Sequence, residues 1–275
     1  MTTIQKVIKY LAIALALFII FNIFYGAIEL TKTIVTSISN EINNKEELKE
    51  GYSIISNDIL EINTLKFFND NDNIEIKVGD SFKVITNDLN VKYNYENGIA
   101  TISSESDLNL IKKNRGNIII YIPDNYNINN VELHFGAGKL EIEKLSVNEL
   151  IMELGAGKVN IDNLSVLSSA KITGGAGNIK IEDCIFNNLN LKLGIGNTKI
   201  EGNLLGNNSI TTGVGKLSLD LTNNLDNYSF TINKGIGNIK IDDNEVFNSN
   251  SLIGNGANKI IINGGIGNVD ITTNN

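Results

Sequence analysis

A short element, Gly-x-Gly followed by Lys or Asn, recurs with its first glycine at Gly136, Gly155, Gly175, Gly194, Gly213, Gly235 and Gly265, and this recurrence constrains the fold more than any other feature. The intervals are 19, 20, 19, 19, 22 and 30 residues. A period in this range marks a repeat architecture whose units cannot bury an apolar face alone and must stack on their neighbours. Aligning the copies turns the chain into columns. Three residues before the first glycine stand Leu133, Met152, Ile172, Leu191, Ile210, Ile232 and Ile262, and five before it Val131, Leu150, Ala170, Leu189, Asn208, Phe230 and Ile260. After the element come Leu140, Val159, Ile179, Thr198, Leu217, Ile239 and Val269, followed two positions on by Ile142, Ile161, Ile181, Ile200, Leu219, Ile241 and Ile271. The residues between are mostly polar. This is period-2 alternation on both sides of a glycine bend, or two half-buried strands per repeat.

Stacked at about 4.8 Å, seven copies make a continuous core roughly 34 Å long. The glycines supply the bend, where β-branched residues would resist the backbone conformation or a close neighbour. The residue after each element (Lys139, Lys158, Asn178, Asn197, Lys216, Asn238 and Asn268) forms an outward ladder in which stacked Asn share amide hydrogen bonds. The 30-residue interval reads as an insertion at 243–258, with 256–259 a degenerate copy on a weaker count. The expected fold is all-β: a parallel β-solenoid with rungs of about twenty residues. Upstream, strands are expected at 59–64, 74–78, 82–86, 91–95, 99–103 and 117–122, the last ended by Pro123. They form irregular rungs and a cap that blocks edge-to-edge pairing.

The N-terminus carries a different pattern. Tyr10 to Ile28 is nineteen residues without a charge, which as a helix spans roughly 28 Å, close to a hydrocarbon core of about 30 Å. The run is long for a secretion signal, and its exit, Phe24-Tyr25-Gly26-Ala27, is a poor cleavage site, so an uncleaved signal-anchor is expected. Apolar residues at Leu30, Ile34, Ile38 and Ile42 continue as a helical stalk that ends at Gly51. The organisation is therefore a cytoplasmic tail at 1–9, a transmembrane helix at 10–28, a stalk at 29–54, irregular β rungs and cap at 55–130 and regular rungs at 131–275. Lys6 and Lys9 before the span give only a weak positive-inside bias over Lys32 and Lys45 after it. The short tail and the long polar domain place the β domain outside the cell membrane.

The segment IIIYIPDNYNINNVELHFGAGKLEI, with the rungs that follow it, resembles the bacterial putative-adhesin family, whose relatives include membrane-anchored Lia-type proteins of Gram-positive envelope-stress operons. The resemblance covers about 59–272. It implies a β-solenoid at the cell envelope and carries over no catalytic residue.

Composition excludes several function classes. A net charge of −8 argues against nucleic acid. One Cys (Cys184), one His (His134), one Arg (Arg115) and no Trp leave no disulfide, no cysteine-rich metal site and no nucleophilic triad. The stretch from Gly213 to Ser218 lacks phosphate-loop spacing and repeats a turn found six more times; no third glycine completes a dinucleotide fingerprint. Gly174–Asn178 and Gly264–Asn268 lack the Asp and the nine-residue period of a calcium β-roll. His134 falls in an outward column with Glu153, Thr173, Lys192, Thr211, Asn233 and Asn263, and reads as a solvated residue. Cys184 aligns with Leu145 and Leu164 as a small core hydrophobe.

One outward column stands out: Glu143, Asp162, Glu182, Glu201, Asp220 and Asp242, then Thr272. A solvated strip balanced by Lys180, Lys199 and Lys240 is the simpler account; a cation-facing strip is the alternative. A straight ladder does not converge six to eight oxygens on one ion. No metal, cofactor or catalytic residue is expected, and no enzyme. The expected function is an extracytoplasmic adhesin or structural module that meets a cell-wall, surface or membrane-protein partner. The alternative is an accessory or sensor of an envelope-stress system.

Overall fold

The computed structural model describes residues 51–56, 61–104, 115–124 and 126–274. The expected tail, the membrane span and most of the stalk lie outside those residues. Among the described residues no helix is long and apolar enough to cross a membrane. The first strand, β1 (Ser53–Ser56), occupies the last positions of the segment assigned to the stalk.

Among the described residues the remaining elements are strands and turns with one short 3-10 turn at Leu225–Asn227. Before the regular repeats run β2 (Thr64–Asn69), β3 (Asn73–Gly79), β4 (Lys83–Thr86), β5 (Val91–Glu96), β6 (Ile99–Ser104) and β7 (Asn117–Pro123). Long, bent strands follow: β8 (Ile128–Ile142), β9 (Leu145–Ile161) and β10 (Leu164–Asn187). Next come β11 (Leu189–Lys192), β12 (Ile195–Leu205), β13 (Asn207–Thr211) and β14 (Val214–Leu221). The chain closes with β15 (Tyr228–Asn233), β16 (Ile239–Ile241), β17 (Asn244–Glu245), β18 (Ser251–Ile253), β19 (Asn258–Asn263) and β20 (Ile266–Thr273).

Successive repeats pair in parallel with the expected columns in register. Gly138 lies opposite Gly157, Gly157 opposite Gly177, Gly177 opposite Gly196, and Gly196 opposite Gly215. The result is an all-β, solenoid-like stack. Alternation sets the inside: in β12, Thr198, Ile200, Gly202 and Leu204 are buried while the residues between them face outward. Burying an aliphatic side chain such as Ile200 or Leu204 contributes about 1.5–3 kcal/mol, repeated rung after rung. Asn208, the polar member of an apolar column, is buried too. It accepts a hydrogen bond from the Leu189 N–H at 2.9 Å and donates to the Leu205 and Lys259 carbonyls at 3.2 Å each, which offsets its desolvation.

The rungs that begin at Gly136, Gly155, Gly175 and Gly194 have three segments, one more than the two expected. After the pre-glycine and post-glycine strands comes a short third one, such as Cys184–Asn187, which pairs with 202–205. In three of these rungs the corner into it holds a left-handed residue, Asn163 (φ 49°), Asp183 (φ 48°) or Gly202 (φ 146°). The corners out of 184–187 and 202–205 use Asn188 (φ 52°) and Gly206 (φ 73°). Cys184 and Phe186 point inward from this segment. Burial pushes the Cys184 thiol up to about 12. Added maleimide or a chromogenic disulfide should therefore leave the native thiol unmodified at pH 8 and label it fully in denaturant; rapid native labelling would remove Cys184 from the core.

The stacking order departs from chain order at both ends. β13 and β14 pair not with β15 and β16 but with β19 and β20, and β15 and β16 lie beyond those. The Gly265 copy thus sits inside the Gly235 copy. Residues 244–253 are not idle insertion: β17 and β18 pair antiparallel with β16 and β15 at the outer edge. Asn258 opens β19, so 256–259 is no separate copy. At the other end β2 and β3 lie between β8 and the pair β6, β7, with β5 antiparallel on β6, and β4 then β1 antiparallel beyond β7. In both places the chain steps out, builds a cap, and leaves its terminal-most parallel strands between two neighbours. Short antiparallel strands thereby replace open parallel edges. Of the strand expected at 59–64, residues 59–60 lie outside the described residues; among the rest the strand starts only at Thr64, in β2, where Leu65, Phe67 and Asn69 supply the inward alternation.

Candidate functional site

The residues that can meet a partner lie on the outer surface of the post-glycine strands. Their outward side chains form three columns one rung apart. The Lys/Asn ladder stands nearest the glycine corner, a mixed column (Glu141, Asn160, Lys180, Lys199, Ser218, Asp270) next, and the acidic column beside the following corner. Across β3 to β14 this surface is concave, a groove of about 760 Å³ whose lining includes Lys77, Glu143, Lys158, Asp162, Lys199 and Lys216.

Most charges in the groove are paired two residues apart on one strand or across one rung. Lys139 meets Glu141 at 2.7 Å and Lys180 meets Glu182 at 2.5 Å. Lys199 bridges Glu201 at 3.0 Å and Asp220 at 3.2 Å, and Lys216 meets Asp270 at 2.8 Å. The hydrogen bonds to Glu201 and Asp220 hold the Lys199 ammonium above its usual range. Glu75 does the same for Lys77. β9 is different: Asn160 stands where the neighbouring rungs put a charge, between Lys158 and Asp162.

The acidic column is a set of separate contacts. Glu143 accepts from the Val78 N–H at 3.3 Å and Asp220 from the Thr272 hydroxyl at 2.9 Å. Asp242 accepts from the Thr273 N–H and hydroxyl, both at 2.7 Å. Among the described residues no group of three His, Cys, Asp or Glu side chains is placed to hold a metal ion. The Asn ladder bonds as expected between Asn178 and Asn197, at 3.4 Å; two shorter Asn pairs, Asn233 with Asn263 at 2.8 Å and Asn148 with Asn129 at 2.7 Å, lie in other columns.

His134 is more engaged than a solvated residue. Its ring lies 2.9 Å from Glu132 through Nε2 and 2.9 Å from Glu153 through Nδ1, and it stacks on Phe68 with centroids 4.9 Å apart. Glu132 also meets Lys66 at 2.9 Å. The partners were legible: Glu132 shares the outward face of β8, and Glu153 is the next residue of the histidine's own column. Hydrogen bonds from Lys66 and then His134 hold the Glu132 carboxyl below its usual value. A depressed carboxyl contributes stability above its unfolded pKa, near 4.3, and loses it as pH falls through the lower folded value. Glu132→Gln should therefore lower the melting temperature slightly at pH 7 and by less at pH 3. The exposed setting keeps the loss within about 1 kcal/mol. An equal deficit at both pH values would make the effect one of packing.

The family model described as Toastrack DUF4097 matches residues 62–257. The chain belongs to the Toastrack family. Solved structures similar to this Toastrack chain include a "putative adhesin" from Bacteroides fragilis, 16% identical with a TM-score of 0.53, over 81% of this chain and 98% of that one. A "putative cell adhesion protein" from Clostridium sporogenes (14% identical, TM-score 0.34) covers 81% of this chain and 98% of its own. A "putative lipid binding protein" from Parabacteroides distasonis (14% identical, TM-score 0.41) covers 82% and 98%. No curated protein matches the Toastrack chain.

Proposed function

We propose that this chain is a membrane-anchored, extracytoplasmic parallel β-solenoid that serves as an adhesive or structural binding module of the bacterial cell envelope. The observation that carries this reading is the post-glycine groove. Its Lys, Asn and carboxylate side chains repeat at one-rung intervals along a groove of about 760 Å³. A repeating surface of alternating charge and amide suits a repeating polar polymer, such as an envelope glycan, better than a single small substrate. The uncharged run from Tyr10 to Ile28 supports the anchor. The reading requires no catalytic residue, metal, cofactor or nucleic acid. The alternative, an accessory or sensor of an envelope-stress system, draws on the same anchor; a nine-residue tail would then need a partner within the membrane.

Protease added to intact cells or protoplasts should remove nearly everything after the span while a cytoplasmic control protein survives. Protection until lysis would put the β domain in the cytoplasm and overturn the reading.

A further inference from the structure

The residue between the two glycines of each element is small in the first copies, Ala137, Ala156 and Ala176, and large and aliphatic in the rest. In the stack Ile195 lies opposite Val214, Val214 opposite Ile266, and Ile266 opposite Ile236. These four side chains are 63%, 46%, 53% and 72% exposed in that order. They form a straight aliphatic ridge along one corner, about 14 Å long at one rung per step. Exposed apolar residues scattered singly need no explanation, but four in register do.

The flanks of the ridge differ from the rest of the surface. In these four rungs, the two positions before the first glycine and the one after the second hold Lys192, Lys216 and Lys234, with the others Asn, Thr, Gly or Leu. No carboxylate stands among them, although the chain carries −8 overall and the next corner is the acidic column. Lys216 meets Asp270 at 2.8 Å, and the Lys234 ammonium donates to the Val246 carbonyl at 3.2 Å. The circumference is therefore polarised, with one corner aliphatic and basic and the next acidic.

We propose that this corner is a docking ridge for an anionic lipid bilayer surface. The aliphatic tips enter the boundary between headgroups and acyl chains, while the lysines and Asn amides lie at the level of the phosphates. A second copy of the chain is disfavoured by area. One row of four side chains buries far less than the roughly 800 Å² per partner of a stable interface. A polar polymer gives the aliphatic tips nothing to bury against. The proposal does not depend on the anchor at 10–28.

The chain has no Trp, so Ile195→Trp in the full chain is a single fluorescent reporter on the ridge. Mixed phosphatidylcholine–phosphatidylglycerol vesicles with brominated acyl chains should shift its emission to the blue and quench it severalfold, and phosphatidylcholine alone should do so weakly. Leu167→Trp, 57% exposed on a different corner, should stay unquenched in both. Val214→Trp, one rung away, should repeat the Ile195→Trp result, so poor folding of one variant does not decide the test. Adding Lys192→Gln and Lys216→Gln should remove most of the preference for the anionic vesicles. Absence of quenching, equal quenching in both lipids, or equal quenching of Leu167→Trp would each overturn the proposal. A blue shift that grows with protein concentration without lipid would overturn it in favour of a second copy.

Discussion

Gly196→Val is expected to unfold the stack at a markedly lower temperature, while Lys199→Gln, three residues away, leaves it nearly unchanged. Gly196 has φ 139°, a conformation that side chains other than glycine rarely adopt. A Cβ built there falls 1.8 Å from the Gly177 carbonyl oxygen and 2.8 Å from its carbon. Those are backbone atoms of the rung beside it, so no side-chain rotation relieves the clash. Strain of about 1–3 kcal/mol and overpacking of about 1–3 kcal/mol together give roughly 2–6 kcal/mol. In a domain of this size that is a fall of about 4–24 °C in melting temperature. Gly196→Ala should show much of the loss, since the offending atom is the Cβ itself. Lys199→Gln removes exposed ion pairs to Glu201 and Asp220, worth about 1 kcal/mol or less. Equal melting temperatures for Gly196→Val and Lys199→Gln would mean that the rungs do not approach at this corner.

The same glycines show why so much of the fold could be read in advance. A residue that must be glycine, at a fixed interval and flanked by alternating aliphatic positions, fixes the bend, the inward faces and the register together. The third segment escaped because it is short. Cys184 and Phe186, or Leu204 alone, are too few to show a period, and their corner residues vary between Asn, Asp and Gly. Asn97-Gly98, the tight turn that joins β5 to β6 with φ 51° and 79°, was a stronger local indication than the alternation around it. Stacking order was not legible, since Ile232 and Ile262 occupy identical columns and either rung fits against Ile210. The intervals of 22 and 30 residues were its only trace. They mark the places where the chain passes over a layer and later returns to fill it. On the surface, each acidic residue of the outward column was legible. Its pairing with a particular lysine or threonine was not, because a partner can come from the same strand or from the next rung in space.

The exchange of rungs makes the end of the chain an interior layer, and Ile262→Asp is expected to expose that. Ile262 in β19 is fully buried and lies opposite Ile210 of β13 on one side and Ile232 of β15 on the other. Its neighbour Ile261 is 41% exposed. Ile262→Asp forfeits about 1.5–3 kcal/mol of burial and places an unpaired carboxylate in the core. The combined loss is on the order of 4 kcal/mol or more, among the largest a single substitution causes. Ile261→Asp, one residue away on the opposite face, should cost about 1 kcal/mol or less. Were the last copy in sequence also the last in space, Ile262→Asp would fray one edge layer and leave the main thermal transition in place. In the observed order it undercuts β15 and β16 and the antiparallel strands resting on them, because these reach the rest of the stack through β19 and β20. A single cooperative transition at a much lower temperature, or a separate early transition that takes the whole of 228–274, is the expected melt. An unchanged main transition with loss of signal confined to 258–274 would restore sequential order.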